Sequence, residues 1–144
     1  LEYAAPFFPL TGYKRAIEAS LNAFKLFIPF MNDDFHSIPS SIISEGLDIW
    51  EGAGDRGDSA MYLYGVTRLL LLYGDKTLAK EMFYCINWCI SYIKNKIDVN
   101  GVVCSDSDEL ENRFESGNAN LCTSCLAYDG LKNAAIIALE LGFK

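Results

Sequence analysis

The sequence predicts an all-α fold of antiparallel helical hairpins. Apolar residues recur at helical spacing in four segments, residues 13–28, 59–73, 76–96 and 121–141. The second and fourth segments carry few charges, and a helix that is apolar nearly all round is usually buried on all sides. The first and third segments keep a charged face. We therefore expect two amphipathic outer helices to alternate with two buried inner helices.

Proline, glycine and serine locate the irregular segments. Residues 1–10 contain Pro6 and Pro9 and predict an irregular lead-in, after which Thr11 is expected to cap the first helix. Residues 32–45 predict a loop. The Asn100-Gly101 pair predicts a tight turn that opens a small hairpin.

Capping residues define the other helix ends. Gly74 is expected at the C-terminal cap of the second helix, and Asp75, the next residue, at the N-terminal cap of the third. Asp58 or Ser59 is expected to cap the second helix, and Asn120 the last one. The turn at Gly74 therefore has almost no length, whereas long polar loops precede both buried helices.

Composition limits the classes of function. The chain has 144 residues, about the length of one domain, so we interpret residues 1–144 as a single helical segment. Its net charge of −7 and pI near 4.6 disfavour nucleic acid, which is bound mainly through lysine and arginine. No apolar run reaches the length of a membrane span, and no membrane partner is expected. A hydrophobic content of 51% predicts an apolar surface that still needs a partner.

The cysteines are five in number and accompany a single histidine. A zinc site is one alternative, and it would have to join the pair Cys85 and Cys89 to the pair Cys122 and Cys125 from two different helices. The favoured interpretation is that they are small buried apolar residues, which fits a reducing compartment such as the cytoplasm. No metal and no cofactor are expected.

Residues 105–120 are the most polar stretch between the long apolar segments. Five carboxylates and one arginine fall within ten residues there, and we expect this loop to hold the functional groups. The alternative is a solvated acidic loop, in which Glu109 and Arg113 pair across one helical turn. If successive helices are antiparallel, the loops before residues 59 and 121 lie at the same end, beside two positively polarised helix N-termini.

Three motifs resemble the six-hairpin glycosidases. They are DRGDSAMYLYG at residues 55–65, SDSDELENRF at 105–114 and NANLCTS at 118–124. The resemblance covers roughly residues 50–142. It implies a partial (α/α)6 toroid, in which inner helices are ringed by outer ones and sugar binds over one end. At roughly 50 residues a hairpin, this chain would supply about two of six hairpins.

The resemblance also implies a glycoside hydrolase with carboxylic general acid/base catalysis, which needs two carboxyl groups. The candidate catalytic residues are Asp108 or Glu109 as the acid, with Asp106 beside them. The candidate substrate-binding residues are Arg113, Arg56, Asp58 and Trp50. The expected partners are a carbohydrate substrate and either the rest of the (α/α)6 domain or a second copy, and the 144-residue piece alone is expected to be inactive.

Two other functions remain open from the residues. The first is a non-catalytic helical interaction module whose acidic loop is merely solvated. The second is calcium binding by Asp106, Asp108 and Glu109, although the glycine and terminal glutamate of an EF-hand are missing.

Overall fold

The computed structural model describes residues 3–39, 41–42, 49–50, 54–107 and 117–143, with the backbone alone for 41–42 and 49–50. The elements, in order, are a 3₁₀ helix Ala5–Thr11, α1 Lys14–Lys25, a 3₁₀ turn Ile28–Phe30, β1 Ser41–Ile42, β2 Ile49–Trp50, α2 Asp58–Tyr73, α3 Lys76–Asn95 and α4 Leu121–Leu141. The predicted all-α class is confirmed. Strands β1 and β2 form only a two-residue antiparallel pair. Strand β1 lies inside residues 32–45, the interval expected to be a loop, and β2 lies in the polar stretch that precedes α2.

The N-terminal lead-in is helical, so the expected irregular segment is wrong. Proline suits the start of a helix because its ring fixes φ and the missing N–H has no partner there, and Pro6 occupies that place in Ala5–Thr11. The role expected for Thr11 is also wrong. Its hydroxyl donates to the Phe8 carbonyl at 2.7 Å and accepts from the Tyr13 N–H at 3.0 Å, and Tyr13 is the N-cap of α1.

The C-terminal end of helix α1 contacts α2 and α3. Phe24 is fully buried and meets the Tyr62 ring edge-on, with centroids 5.3 Å apart. The Tyr62 hydroxyl donates to the Phe24 carbonyl at 2.9 Å. On the exposed side, Lys25 pairs with Glu81 of α3 at 2.7 Å. The amphipathic character predicted for this helix is confirmed, although it ends at Lys25 and not at residue 28.

The α2–α3 hairpin follows the sequence prediction closely. Gly74 adopts a left-handed φ of 74°, and its N–H donates to the Leu70 carbonyl. The Asp75 carboxylate then accepts from the N–H groups of Thr77 and Leu78, which satisfies two donors of the first turn of α3. Helix α2 is buried along most of its length, as predicted.

Helix α4 runs parallel to α2. At one end, the Gly57 backbone lies against the Thr123 side chain, and at the other the Lys76 ammonium contacts the Glu140 carboxylate at 2.9 Å. Between them, a Cβ built on Gly130 would lie 2.9 Å from Leu63 Cγ and 3.0 Å from the Tyr64 nitrogen. A glycine at this position therefore lets the two helices approach closely.

Helix α4 is not buried all round, which corrects the sequence prediction. Its inward face carries the buried residues Thr123, Ala127, Gly130, Ala134 and Ile137. On the opposite face, Leu121 is 80% exposed, Tyr128 70% and Leu139 75%. The expected burial on all sides is therefore wrong, because within the described chain α2 and α3 cover only one face of α4.

The cysteines divide between core and surface. Cys85 and Cys89 are buried in α3, and burial raises the pKa of both thiols. Cys125 is exposed, so the expectation of buried cysteines fails there. No helix in the described ranges has both the length and the apolar character required to cross a bilayer.

The predicted small hairpin follows α3. Ile97 and Val103 form an antiparallel bridge, and the Asp98 N–H donates to the Val102 carbonyl at 2.9 Å. The Asp98 carboxylate closes the turn by accepting from the N–H groups of Asn100 and Val102, at 2.8 and 2.9 Å. Gly101 supplies the positive φ, 81°, that the turn requires.

These hydrogen bonds lower the pKa of Asp98 from its ordinary value of 3.8, chiefly through the Val102 N–H. Because the folded-state pKa is depressed, the carboxylate's contribution to stability is present above pH 3.8 and is lost as the pH falls through the folded value. We expect Asp98→Asn to lower the thermal midpoint at neutral pH and to have a smaller effect in strong acid. Thermal unfolding followed across the acid range measures this. An equal effect of the substitution at both pH extremes would contradict it.

Candidate functional site

The predicted site residues are described only in part. Arg56, Asp58 and Asp106 lie within the described chain, whereas Asp108, Glu109 and Arg113 lie outside it. For Trp50 the backbone alone is described, in β2. The roles expected for the undescribed side chains stay predictions.

The two loops that precede α2 and α4 are joined through their backbones. The N–H groups of Asp106 and Ser107 both donate to the Asp55 carbonyl, at 2.8 and 3.0 Å. In return, the Asp55 N–H donates to Asp106 Oδ2 at 3.0 Å. The prediction that both loops lie at the same end of the helices is confirmed for these residues. If the two loops form one site, Asp108 and Glu109 share a cleft with Arg56 or Asp58; this placement is a prediction, because Asp108 and Glu109 lie outside the described residues.

Close packing holds Asp106 in place. A Cβ built on Gly54 would lie 3.0 Å from Asp106 Oδ2, so the carboxylate sits directly over the glycine backbone. Asp106 itself is exposed. One oxygen of this candidate catalytic carboxylate is therefore engaged in holding the loops together, while the residue remains accessible to solvent.

Asp55 is the buried centre of the junction and is only 3% exposed. Its Oδ1 accepts from the Gly57 N–H at 2.8 Å, and its Oδ2 accepts from the Tyr92 hydroxyl at 2.5 Å. The Lys96 ammonium lies 3.7 Å from Oδ2. Burial, followed by the hydrogen bond to this carboxylate, raises the pKa of the Tyr92 phenol well above its ordinary value. Asp55 thus ties the first loop to the end of α3.

Sequence reasoning missed the role of Asp55. A signal was available, because an aspartate two residues before a glycine is typical of a turn in which the side chain accepts a backbone N–H. The hydrogen bond from the Gly57 N–H to the Asp55 carboxylate forms such a turn. Its partners Tyr92 and Lys96, one helical turn apart at the C-terminal end of α3, could not be assigned from local sequence.

Gly57 is the N-cap of α2, which corrects the expectation of Asp58 or Ser59. Its φ of 86° is left-handed. Asp58 lies in the first turn, where a carboxylate is favoured by the helix dipole. Its Oδ2 accepts from the Arg56 N–H at 3.1 Å, and its Oδ1 lies 3.8 Å from the Arg56 guanidinium. Two of the predicted substrate-binding residues therefore contact each other.

The start of α4 lies beside the start of α2. The Asn120 side chain accepts from the Thr123 N–H at 3.1 Å, as predicted for its cap. Thr123 Oγ1 is 3.4 Å from the Ser105 hydroxyl, which donates to the Ser107 carbonyl at 2.8 Å. Two parallel helix N-termini and a group of hydroxyls thus meet at one end. Their partial positive charge favours anionic or hydroxyl-bearing ligands.

Two tyrosines of the motif at residues 55–65 have structural contacts. Tyr62 is a core residue. The Arg68 guanidinium lies over the Tyr64 ring, with its central carbon 4.6 Å from the ring centroid.

Within residues 3–39, 54–107 and 117–143, no three histidine, cysteine or acidic side chains are grouped so that they could hold a metal ion.

Comparison with known proteins gives no assignment. No family model matches the chain, and no curated protein and no solved structure matches it.

Proposed function

We propose that this chain supplies two adjacent hairpins of an (α/α)6 catalytic domain that hydrolyses a glycosidic bond. The proposal rests on one observation above all. The loops that precede α2 and α4, which carry the motifs resembling the six-hairpin glycosidases, are hydrogen-bonded to each other between Asp55 and Asp106.

The helix arrangement supports this proposal. In such a toroid the inner helices are parallel to one another, and each is followed by an antiparallel outer helix. Helices α2 and α4 are parallel neighbours, and α3 lies antiparallel beside them with Phe83 against Phe143, ring centroids 4.6 Å apart. The incompletely covered face of α4 fits a ring of which only part is present.

In the proposed reaction one carboxyl group of the acidic loop is the proton donor and a second carboxyl group is the base or nucleophile. Asp108 or Glu109 donates a proton to the glycosidic oxygen, and a second carboxyl group activates water or attacks the sugar carbon. Asp106 belongs to the same group of acids. Arg113, Arg56, Asp58 and Trp50 hold the sugar through hydrogen bonds and ring stacking. The reaction needs no cofactor, and the free thiols fit a reducing compartment such as the cytoplasm.

Amide variants test the proposal in the polypeptide that carries the whole domain. Asp108→Asn and Glu109→Gln keep the size of the side chain but remove the transferable proton. Turnover of a substrate with a poor leaving group should fall by about 100-fold or more in at least one of them, while stability barely changes. Steady-state kinetics measure this, with Glu115→Gln as the control that keeps turnover. Parental turnover in all three variants would show that the acidic loop is scaffold.

The isolated chain provides a second test. Calorimetric titration should show binding of mono- or disaccharides and no response to calcium. The isolated chain should show no glycosidase turnover. Arg56→Ala should weaken the sugar response, because it removes a guanidinium at the paired loops. A response to calcium alone would favour the calcium alternative.

A second candidate is a non-catalytic helical interaction module. The exposed apolar face of α4 favours it, because a face of this kind is typical of a surface that binds another protein. The absence of any sugar response, together with silent amide variants, would select this function over the first.

A further inference from the structure

The exposed face of α4 carries a regular stripe of side chains. Its members, called here the outward stripe, are Leu121, Cys125, Tyr128, Lys132, Ala135 and Leu139, and all six are exposed. They are spaced alternately by four and three residues, the spacing that forms the contact seam of a helix pair. The stripe lies opposite the face that packs on α2, so within the described residues α4 has one seam filled and one open.

The outward stripe is complementary to itself when two copies are placed antiparallel. With the twofold axis at the level of Gly130, each stripe residue meets a different member on the other copy. The resulting pairs are Leu121 with Leu139, Cys125 with Ala135, and Tyr128 with Lys132. Leucine is thus placed against leucine at both ends, and a small side chain is opposite the cysteine. In parallel pairing, by contrast, each Lys132 would face the other, and like charges would be juxtaposed.

Charge also favours a second copy on this face. The chain carries a net charge of −7, which opposes the approach of two copies through most of its surface. The outward stripe, however, contains no carboxylate and one cation, Lys132. The carboxylates of α4 are engaged within the chain, Asp129 with Arg68 and Glu140 with Lys76, each at 2.9 Å. In the antiparallel register the Lys132 ammonium meets the face of a tyrosine ring, which attracts a cation.

We propose that the outward stripe of the 144-residue chain, the face that the next hairpin would cover in a complete ring, is a homodimer interface in which two copies of α4 pack antiparallel about Gly130. Helix α4 has 21 residues and is therefore about 31 Å long. One helix pair of this length buries less surface than a standard stable interface. The dimer is therefore weak, with a dissociation constant of about 10 µM to 1 mM.

Sedimentation equilibrium over that concentration range tests the dimer. The wild-type chain should show a reversible monomer–dimer equilibrium. Leu139→Lys should weaken it at least tenfold, because it places a cation against Leu121 of the second copy. The matched control is Leu10→Lys, which makes the same change at a leucine that is 68% exposed and outside α4. Circular dichroism should show both variants folded, as expected for exposed sites. A wild-type chain that stays monomeric, or an equal effect of the two variants, would overturn the proposal.

Disulfide trapping tests the register. Ala135→Cys places a thiol opposite Cys125 of the second copy, so mild oxidation should give a covalent dimer that the wild-type chain forms far less. Trypsin cleaves after Arg113 and Lys132, which puts Cys125, together with Cys122, on peptide 114–132 and the new thiol on peptide 133–144. Antiparallel packing predicts a disulfide between these two peptides. Disulfides only between identical peptides would indicate parallel packing, as at the next inner helix of a ring, and would overturn the proposed register.

Discussion

Replacing Gly57 with alanine should lower the free energy of unfolding by about 3 kcal/mol or more, through two separate effects. The first is the backbone, because a φ of 86° is left-handed and costs an L-residue roughly 1–2 kcal/mol. The second is steric, because the new Cβ would lie 2.4 Å from Thr123 Oγ1 and 2.8 Å from its Cγ2. Urea denaturation followed by circular dichroism measures the loss.

A matched glycine separates the two effects. Gly74 has a similar φ of 74°, but a Cβ there would meet nothing within 4 Å. Gly74→Ala should therefore show the backbone cost alone, about 1 kcal/mol. In the Gly57→Ala background, Thr123→Ala should recover part of the loss, because it removes the two closest atoms. Equal losses for Gly57→Ala and Gly74→Ala would show that the contact between the α2 and α4 starts contributes nothing.

The helix boundaries could be predicted where local chemistry sets them. Asp75 and Asn120 cap α3 and α4 with side-chain oxygens, and Gly74 ends α2, because each satisfies backbone groups within a few residues. Prediction failed where a local motif had a competing use. Threonine is a common N-cap residue, but the Thr11 hydroxyl donates to the Phe8 carbonyl at the end of the preceding 3₁₀ helix.

The covering of α4 could not be predicted from its own sequence. The composition of α4 shows that apolar residues lie on two of its faces. Which of these faces packs against other helices depends on the tertiary arrangement. Gly130 sets the filled face, because only a residue without a side chain fits against Leu63. Leu121 and Leu139 are then left on the other side.

At the candidate site, too, some features could be predicted from the sequence and others could not. The meeting of the two loops follows from helix direction and loop length, which the sequence contains, and the bonds between Asp55 and Asp106 confirm it. The identity of the residue at the centre does not follow, because Tyr92 lies 37 positions from Asp55 and their contact requires the complete α2–α3 hairpin. A functional reading of the acidic loop therefore missed the carboxylate that positions it.

Removing the Asp55 carboxylate should lower the free energy of unfolding more than any other single polar change at the end of the molecule where α2 and α4 begin. Asp55→Ala leaves the Tyr92 hydroxyl and the Gly57 N–H without their acceptor and Lys96 without its counter-ion. Breaking a buried charged cluster in this way costs about 3–5 kcal/mol. Tyr92→Phe removes one of the contacts to the buried carboxylate and should cost about 1–3 kcal/mol.

The control for Asp55→Ala is an acid in an exposed ion pair. Glu81 contacts Lys25 at 2.7 Å with both side chains well exposed, so Glu81→Ala should cost no more than about 1 kcal/mol. Hydrogen exchange adds a local measurement, since the Asp106 and Ser107 amides donate to the Asp55 carbonyl. Their exchange should accelerate more in Tyr92→Phe than that of the Asp98 amide in the small hairpin, because Tyr92 holds the loop through the Asp55 side chain. If Asp55→Ala were no worse than Glu81→Ala, or if all three amides exchanged alike in Tyr92→Phe, Asp55 would not be what positions the two loops.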